Sequence, residues 1–447
     1  MGDVRYEDTD RSSRVAVLQQ HESASAAGHF AAPRDAKVAF NRPEARMSDL
    51  IAALTYPFHQ NSLMILRRSL QEMFGREHIY FAPSGQCAIA QIISMLPQKE
   101  VVMPAYMCYQ VRHAIASIGK KIIYVDVARN GVNSSAAEFA EAARPGRILV
   151  AAHLFGVPTD IEAICELARE RDCVTIEDAV PAFSGRHNGR LLGTIADFGV
   201  FSFHHSKRMS AFSGAMIVVN NPQVINPLTL DTSRIIKTER AFPLADLGMG
   251  IAQNIGTLPL VYRNITLPLL PLRPVVPELV RKLRRKTDAP NEDAGPAGRP
   301  SVPHNRFFTR EVHPYQAELL QRMVRRIDGI RDHISHLVRV YQEIFQDTPI
   351  VPVVSPDCDT GAMMRFPVVF PGKNRDEVLR RAEQYGLYLK SGWRGTLSEE
   401  SESARFPNAV WTAQNVTLLP LYTALSLKSA ESLARSLVQT VRQLETT

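Results

Sequence analysis

Short apolar runs alternate with helix-length segments from residue 79 to residue 203, and this alternation limits the fold more than any other feature of the sequence. The apolar runs predict buried strands at 79–81, 101–103, 121–125, 147–151, 173–176 and 198–203. The segments between them predict helices at 88–96, 111–118, 134–143 and 159–171. Strands joined through such helices form right-handed crossovers and a mostly parallel sheet covered on both faces. The sequence therefore predicts an α/β fold.

The alternation ends near residue 220, and the remaining sequence predicts further units. We expect a flexible N-terminal arm at 1–45, a large α/β domain at 46–225, an insertion at 226–304 and a small α+β domain at 305–447. The small domain is expected from a long helical pattern at 315–345, then strands at 364–369 and 387–389 and helices at 376–385 and 428–444.

The insertion combines an apolar, proline-interrupted stretch at 258–276 with five basic residues between 281 and 286 and a Pro/Gly-rich loop. It lacks a run of about 18 apolar residues, so a transmembrane helix is not supported. The segment 258–286 could lie on an anionic membrane surface. Packing against its own domain is the favoured interpretation, because proline interrupts a long amphipathic helix.

Charge and cysteine content narrow the class of protein only slightly. The net charge of +7 predicts weak attraction to anions and, by itself, no particular partner. The five cysteines form no Cys-x-x-Cys pair, and their odd number favours reduced thiols. No apolar segment of signal-peptide type is found near Met1, so a cytoplasmic location is expected.

Four short segments place reactive or polar groups at the ends of predicted strands. The turn at 84–87 can present backbone amides to a phosphate, although many such turns only bend the chain. Asp178 ends a strand and can either pair with a pyridine nitrogen or cap a helix. Lys207, in the turn after another strand, can form an imine with an aldehyde cofactor. The segment 103–108 can cover a flat ring.

Two adjacent histidines precede that lysine and at first suggest a metal site. His204 and His205 would point to opposite faces of an extended segment, and no third ligand stands at a suitable spacing. We therefore predict no metal ligand in this region.

In their order along the chain, the four segments resemble those of the DegT/StrS-type family of pyridoxal-phosphate sugar aminotransferases, which have fold type I. The likeness runs from about residue 47 to residue 425. It includes VVMPAYMCYQVRHAIASIGKKIIYVDV, HLFGVPTDIEAICELARERDCVTIEDA and GRLLGTIADFGVFSFHHSK, and near the end NVTLLPLYTALS. The long helix expected from residue 315 resembles the one that opens the family's small domain.

The resemblance implies pyridoxal 5′-phosphate as the cofactor and gives roles to individual residues. Lys207 would be the catalytic Schiff-base lysine, Asp178 the partner of the pyridine nitrogen, and Ser202 a phosphate-binding hydroxyl. The full set of implied cofactor-binding residues is Gly85, Gln86, Cys87, Cys108, Asp178, Ser202 and Lys207.

The implied activity is transfer of an amino group from an amino acid, glutamate in the first instance, to a keto-sugar linked to a nucleotide. Such a reaction belongs to polysaccharide or secondary-metabolite biosynthesis and would be carried out by a homodimer without nucleic acid. The sequence departs from the family pattern at Pro181, where a Gln or His is common, and at Cys108, where many members have an aromatic residue. Elimination or decarboxylation on the same cofactor, and a non-catalytic regulatory role, therefore remain alternatives.

Overall fold

A seven-stranded sheet lies at the centre of the computed structural model, which describes residues 31–58, 61–225, 244–270, 312–355, 358–398 and 400–444. Residues 1–30 of the predicted arm, and 226–243 and 271–304 of the predicted insertion, lie outside the described residues. The strands are β1 (His78–Ala82), β2 (Glu100–Pro104), β3 (Lys121–Val125), β4 (Arg147–Ala152), β5 (Val174–Asp178), β6 (Arg186–His187), β7 (Arg190–Leu191), β8 (Phe198–Ser202), β9 (Ala215–Val219), β10 (Val351–Pro352), β11 (Arg365–Val369), β12 (Lys390–Ser391) and β13 (Thr417–Pro420).

The helices cover both faces of this sheet and build the C-terminal part of the chain. They are α1 (Met47–Ala53), α2 (Ser62–Phe74), α3 (Gly85–Met95), α4 (Tyr109–Ser117), α5 (Ala136–Phe139), α6 (Ile161–Glu170), α7 (Leu244–Gly256), α8 (Pro259–Val261), α9 (Leu267–Leu269), α10 (Pro314–Val324), α11 (Ile327–Phe345), α12 (Arg375–Gln384), α13 (Pro407–Asn415) and α14 (Leu427–Gln443). Within the described residues, none of them is long and apolar enough to cross a membrane.

The order of strands in the large sheet is β1-β9-β8-β5-β4-β2-β3. Only β9 runs against the other six strands, so the prediction of a mostly parallel α/β sheet is confirmed. Successive side chains of a strand enter opposite layers, as in β4, where Ile148 and Val150 pack in one apolar core and Leu149 in the other. Helices on both faces bury both sets of side chains.

All six predicted strands are present, and the structure adds β9, which the sequence pattern missed. This strand returns antiparallel beside β8 without an intervening helix. The pattern of strands separated by helices therefore cannot detect it.

The C-terminal region has a second sheet, with strand order β10-β11-β13-β12 and only antiparallel pairs. Helices α11 and α14 pack together next to it. The smaller α+β unit expected after the main sheet is thus present. The helix expected at 315–345 is instead two helices, because the backbone leaves the helical region at Arg326. The strand expected at 387–389 is also displaced, and β12 begins at Lys390.

Residues 31–46 run across the C-terminal region before the first helix. The side chain of Phe40 is buried, and Asp35 accepts a hydrogen bond from Ser432 of α14 at 2.8 Å. The carboxylate of Glu44 accepts from the backbone amide of Thr423 at 3.2 Å. This part of the chain therefore connects the start of the large sheet domain to the second sheet.

Candidate active site

The polar ends of β5 and β8 meet the first turn of α3 at one edge of the large sheet. Asp178 is the last residue of β5, Ser202 is the last residue of β8, and the two strands are parallel neighbours. Gly85 begins α3 next to them. Because the carboxyl ends of parallel strands share an edge, three distant segments of the sequence are brought into one crevice.

The first turn of α3 forms a close-fitting cradle of backbone groups. A Cβ atom at Gly85 would lie 3.0 Å from Val180 Cγ2 and 3.2 Å from Ser202 Cβ, so a side chain there would press on both neighbours. The amides of Gly85 and Gln86 stand in the first turn, where a helix offers no acceptor of its own. These amides and the positive end of the helix suit an anion such as phosphate.

Side chains complete this cradle on two sides. The Oγ atom of Ser84 accepts a hydrogen bond from the Cys87 amide at 3.3 Å, which fixes the start of the helix. Buried Ser202 accepts from the His204 amide at 3.3 Å, and a hydroxyl can donate as well. Burial raises the pKa of the Cys87 thiol to about 11, so that this side chain stays neutral near pH 7. The predicted role of Cys87 in cofactor binding therefore depends on its backbone and not on its thiol.

Asp178 and Lys207 lie close enough in this crevice to influence each other's charge. The Asp178 carboxylate is buried and accepts from the Val180 amide at 3.1 Å. Burial raises the pKa of Asp178, and the positive charge of Lys207 opposes the rise. Burial also lowers the pKa of Lys207, with Cys108 and Asp178 opposing the change. A lysine with a lowered pKa is more often the neutral amine that can attack an aldehyde.

Cys108, the third predicted group near the lysine, precedes α4 and is half-buried. Its sulfur lies close enough to influence the charge of Lys207. Next to it the chain supplies an aromatic group that sequence reasoning did not select. Tyr106 is fully buried and meets Trp393 edge-on at 5.4 Å, and Trp393 stacks on Phe155 at 5.3 Å between ring centroids.

Glu177, the other carboxylate of the acidic pair, points away from this crevice. Its oxygens accept from the amides of Gly193 at 2.5 Å and Ile195 at 3.1 Å. His153 lies 3.0 Å from it, and the Nδ1 atom of that histidine accepts from the Thr159 amide, so its Nε2 carries the proton toward Glu177. These contacts give Glu177 a structural role.

Arg365 is a site residue that the sequence did not reveal. It is buried in β11, donates to Asn41 Oδ1 at 2.7 Å and lies over the ring of Phe40 at 4.8 Å. Burial lowers its pKa to about 10, and its positive charge in turn lowers the pKa of Lys207. Its contacts join residues more than three hundred positions apart, so no local pattern could have indicated it.

Arg208, directly after the lysine, is a second buried cation. Its guanidinium donates to the carbonyl of Met363 and lies 3.6 Å from Glu44 Oε1. Burial lowers its pKa, and Glu44 opposes the change. Arg208 and Arg365 therefore lie near Glu44 as two buried guanidinium groups, and this excess of positive charge favours an anionic ligand.

The two adjacent histidines lie at the rim of the crevice. The rings of His204 and His205 are 3.9 Å apart between centroids, and burial lowers the pKa of His204 to about 4. Within the described residues, no group of three or more His, Cys, Asp or Glu side chains lies together as a metal site requires.

Comparison with known proteins gives a family match for part of the chain. Residues 66–233 match the model of the DegT/DnrJ/EryC1/StrS aminotransferase family. This part of the chain is therefore similar to that family. The match covers the strand before the cradle, Asp178, Ser202 and Lys207.

Individual relatives are distant. GDP-perosamine synthase of Escherichia coli O157:H7 is 31% identical over 27% of this chain and 34% of its own length. The chain aligns with about a third of the length of the curated relatives it matches. The aminotransferase TlmJ from Streptoalloteichus hindustanus superposes with a TM-score of 0.67 at 19% identity, over 91% of this chain and 100% of that one. A putative sugar aminotransferase from Streptococcus pneumoniae in its PLP form gives 0.66 at 15% identity, over 91% and 99%. These structures share the fold.

Proposed function

We propose that this protein is a pyridoxal-phosphate-dependent aminotransferase that uses Lys207 to hold its cofactor. The observation that supports the proposal is that the ends of β5 and β8 meet the first turn of α3, with buried Asp178 close enough to Lys207 to influence its charge. An amine that can bond to an aldehyde, a carboxylate that can pair with a ring nitrogen and an anion cradle are the three groups that this cofactor requires.

The residues present fit that cofactor. The amides of Gly85 and Gln86 stand in the first turn of α3, where they have no acceptor within the helix, and the Ser202 hydroxyl lies beside Gly85. Gln86 would contribute its backbone amide, whereas the amide of Cys87 donates to Ser84 Oγ and would hold the cradle in place. Cys108 would lie near the ring, where its thiol is smaller than the aromatic side chain common in the family.

The bound cofactor would supply an aldehyde that bonds covalently to amines and a ring that accepts electrons. Asp178 would keep a proton on the ring nitrogen, because its charge would then be paired inside a buried site. The Lys207 amine would first hold the cofactor. Once displaced by an amino donor, it would move a proton at the reacting carbon, as its lowered pKa allows.

For the substrate we propose a keto-sugar, nucleotide-linked, with glutamate as the amino donor. The name of the E. coli relative refers to a GDP-sugar product, which supports a nucleotide-linked acceptor. The buried cations Arg208 and Arg365 support an anionic group on one of the two substrates. We also propose a homodimer in the cytoplasm, as the resemblance implies, with a role in polysaccharide or secondary-metabolite biosynthesis.

A changed reaction on the same cofactor is the second candidate. Pro181 is buried at the position where a Gln or His is common in the family, and proline offers no N–H group. Loss of that donor near the ring could favour elimination or decarboxylation. Release of ammonia or carbon dioxide without a keto-acid co-product would distinguish these reactions from amino transfer.

The experiment that tests the leading proposal is an absorbance titration of the purified protein with glutamate and then with keto-sugar nucleotides. We expect a visible cofactor band that glutamate removes and the keto-sugar restores. Lys207→Ala should lose the covalently held cofactor band, and Lys428→Ala, which changes an exposed lysine of α14, should keep it. A spectrum that no amino acid alters would contradict simple amino transfer. A protein that binds no cofactor would favour a regulatory role.

A further inference from the structure

The segment 244–270, called here the apolar segment, is fixed to the rest of the protein through its polar and small residues. Asn254 is buried and donates to the carbonyl of Ala45 at 3.0 Å. Asp246 accepts from the Ser213 hydroxyl at 2.8 Å, and Arg263 donates to the carbonyl of Lys37 at 3.3 Å. Several hydrogen bonds, spread from one end of the segment to the other, hold it in one orientation.

The opposite side of the apolar segment carries large hydrophobic side chains in contact with solvent. Leu260 is 74% exposed and Leu244 is 71% exposed. Eight of the sixteen large hydrophobic residues that are exposed in the described chain lie in this segment: Leu244, Met249, Ile251, Ile255, Leu258, Leu260, Ile265 and Leu269. A surface helix normally buries its apolar side and exposes its polar side. Here the polar residues face the protein and the apolar residues face solvent, which indicates that the exposed apolar side contacts a partner.

Helical spacing places several of these exposed side chains on one side of α7. In α7, Leu244, Ile251 and Ile255 follow one another at intervals of seven and four residues, which places them on one side of the helix. Gly250 is on the inner side, where the ring of Phe212 contacts it. The same helix is thus divided between an inner side that packs and an outer side that is apolar.

We propose that the outer face of the apolar segment docks on an anionic lipid surface. The only charged residues of the segment, Asp246 and Arg263, are engaged with the protein body, so the outer face has no charge that would oppose contact with lipid. The sequence that follows the segment contains six cations and one anion up to Lys286. Basic residues near an anionic membrane contribute about 1 kcal/mol each.

Charge favours lipid as the occupant of the outer face. The protein has a net charge of +7, and the basic residues that follow the segment in the sequence are attracted to an anionic bilayer. Apolar side chains and a basic flank are the two signals that stable interfacial binding needs. The packing expected from the sequence applies to the inner side of the segment, and lipid covers the outer side.

The test is sedimentation of the full-length, cofactor-loaded protein with vesicles of phosphatidylcholine alone or with phosphatidylglycerol added. We expect binding to the anionic vesicles only, and weaker binding at high salt because the charges are screened. The triple variant Leu260→Ser, Ile265→Ser, Leu269→Ser should bind about tenfold or more weakly, since three apolar side chains no longer enter the interface.

The control variant carries Val351→Ser and Leu427→Ser, which change exposed apolar residues outside the segment and should bind like the unchanged protein. Activity in solution should be the same in both variants, so a failure of the docking proposal is separable from a failure of the proposed chemistry. Equal vesicle binding by the triple variant would overturn the proposal. So would a triple variant that dissociates into monomers during size-exclusion chromatography, because the outer face would then be an interface between copies.

Discussion

The neighbouring carboxylates of Glu177 and Asp178 lie on opposite sides of β5, and the protein supplies them with very different sets of hydrogen-bond donors. On one side, Glu177 is surrounded by backbone amides and by the Nε2–H of His153, so its acceptor positions are filled by the protein. On the other side, Asp178 accepts from the amide of Val180 and faces the charge of Lys207. A buried charge with filled positions supports the fold, whereas one with positions left over is ready for a ligand.

The largest effect expected from this comparison is on activity. Asp178→Asn removes the charge that would hold a proton on the ring nitrogen while keeping the size of the side chain. We expect kcat for amino transfer to fall about a thousandfold, because one preorganised charge partner is lost. Stopped-flow absorbance of the half-reaction with glutamate measures it. The midpoint of urea unfolding should change little or rise, since a buried charge disappears. If the variant has an unchanged kcat, Asp178 does not take part in the reaction.

The second largest effect is expected at Glu177, on the stability of the fold. Glu177→Ala leaves buried amides at 193–196 and the imidazole of His153 without an acceptor. We expect the free energy of unfolding to fall by about 3 kcal/mol, as for other buried charges that lose their partner network. Urea unfolding followed by circular dichroism measures the change. Glu177→Gln, which keeps one acceptor oxygen, is the matched control and should lose less.

Cofactor binding by the Glu177→Ala variant, measured at a low temperature so that the variant stays folded, tests whether Glu177 belongs to the site. The Glu177→Ala protein that remains folded should keep the absorption band of the cofactor. If that band is lost while the circular dichroism spectrum is unchanged, Glu177 belongs to the site and the division between the two sides is wrong.

The smallest expected effect is a change in the free energy of unfolding with pH. The pKa of Asp178 is raised above 3.8 in the folded protein, so between 3.8 and the raised value the folded state binds more protons than the unfolded state. Stability from this group therefore falls as pH rises through that window. We expect the difference in unfolding free energy between Asp178→Asn and the unchanged protein, both freed of cofactor, to grow with pH there and then level off. A difference that is constant with pH would contradict the raised pKa.

The parts of the site that the sequence could predict are those made by neighbouring residues. The turn before α3 and the lysine turn after β8 each follow a strand directly, so their place at the carboxyl edge of the sheet follows from the alternation of strands and helices. Adjacent strand residues point to opposite faces, so only one of Glu177 and Asp178 could be expected in the crevice. The partners of Glu177 come from residues 193–196 and had no separate signal.

Other features depend on contacts that no local pattern encodes. Arg208 meets Glu44 from a distant part of the chain, and Arg365 meets Asn41 across 324 positions. The sequence predicts that the insertion packs against its own domain, because proline interrupts a long amphipathic helix. It does not indicate which side chains make the contact: Asn254 is buried and Leu260 is exposed.

The contacts of Arg208 also determine how the protein melts. This side chain belongs to the loop after β8, yet it donates to Met363, just before β11, and pairs with Glu44, which in turn accepts from Thr423. If the C-terminal sheet came apart alone, it would leave a buried guanidinium and a buried carboxylate without partners, at a cost of several kcal/mol. The two sheets should therefore lose their structure in a single calorimetric transition.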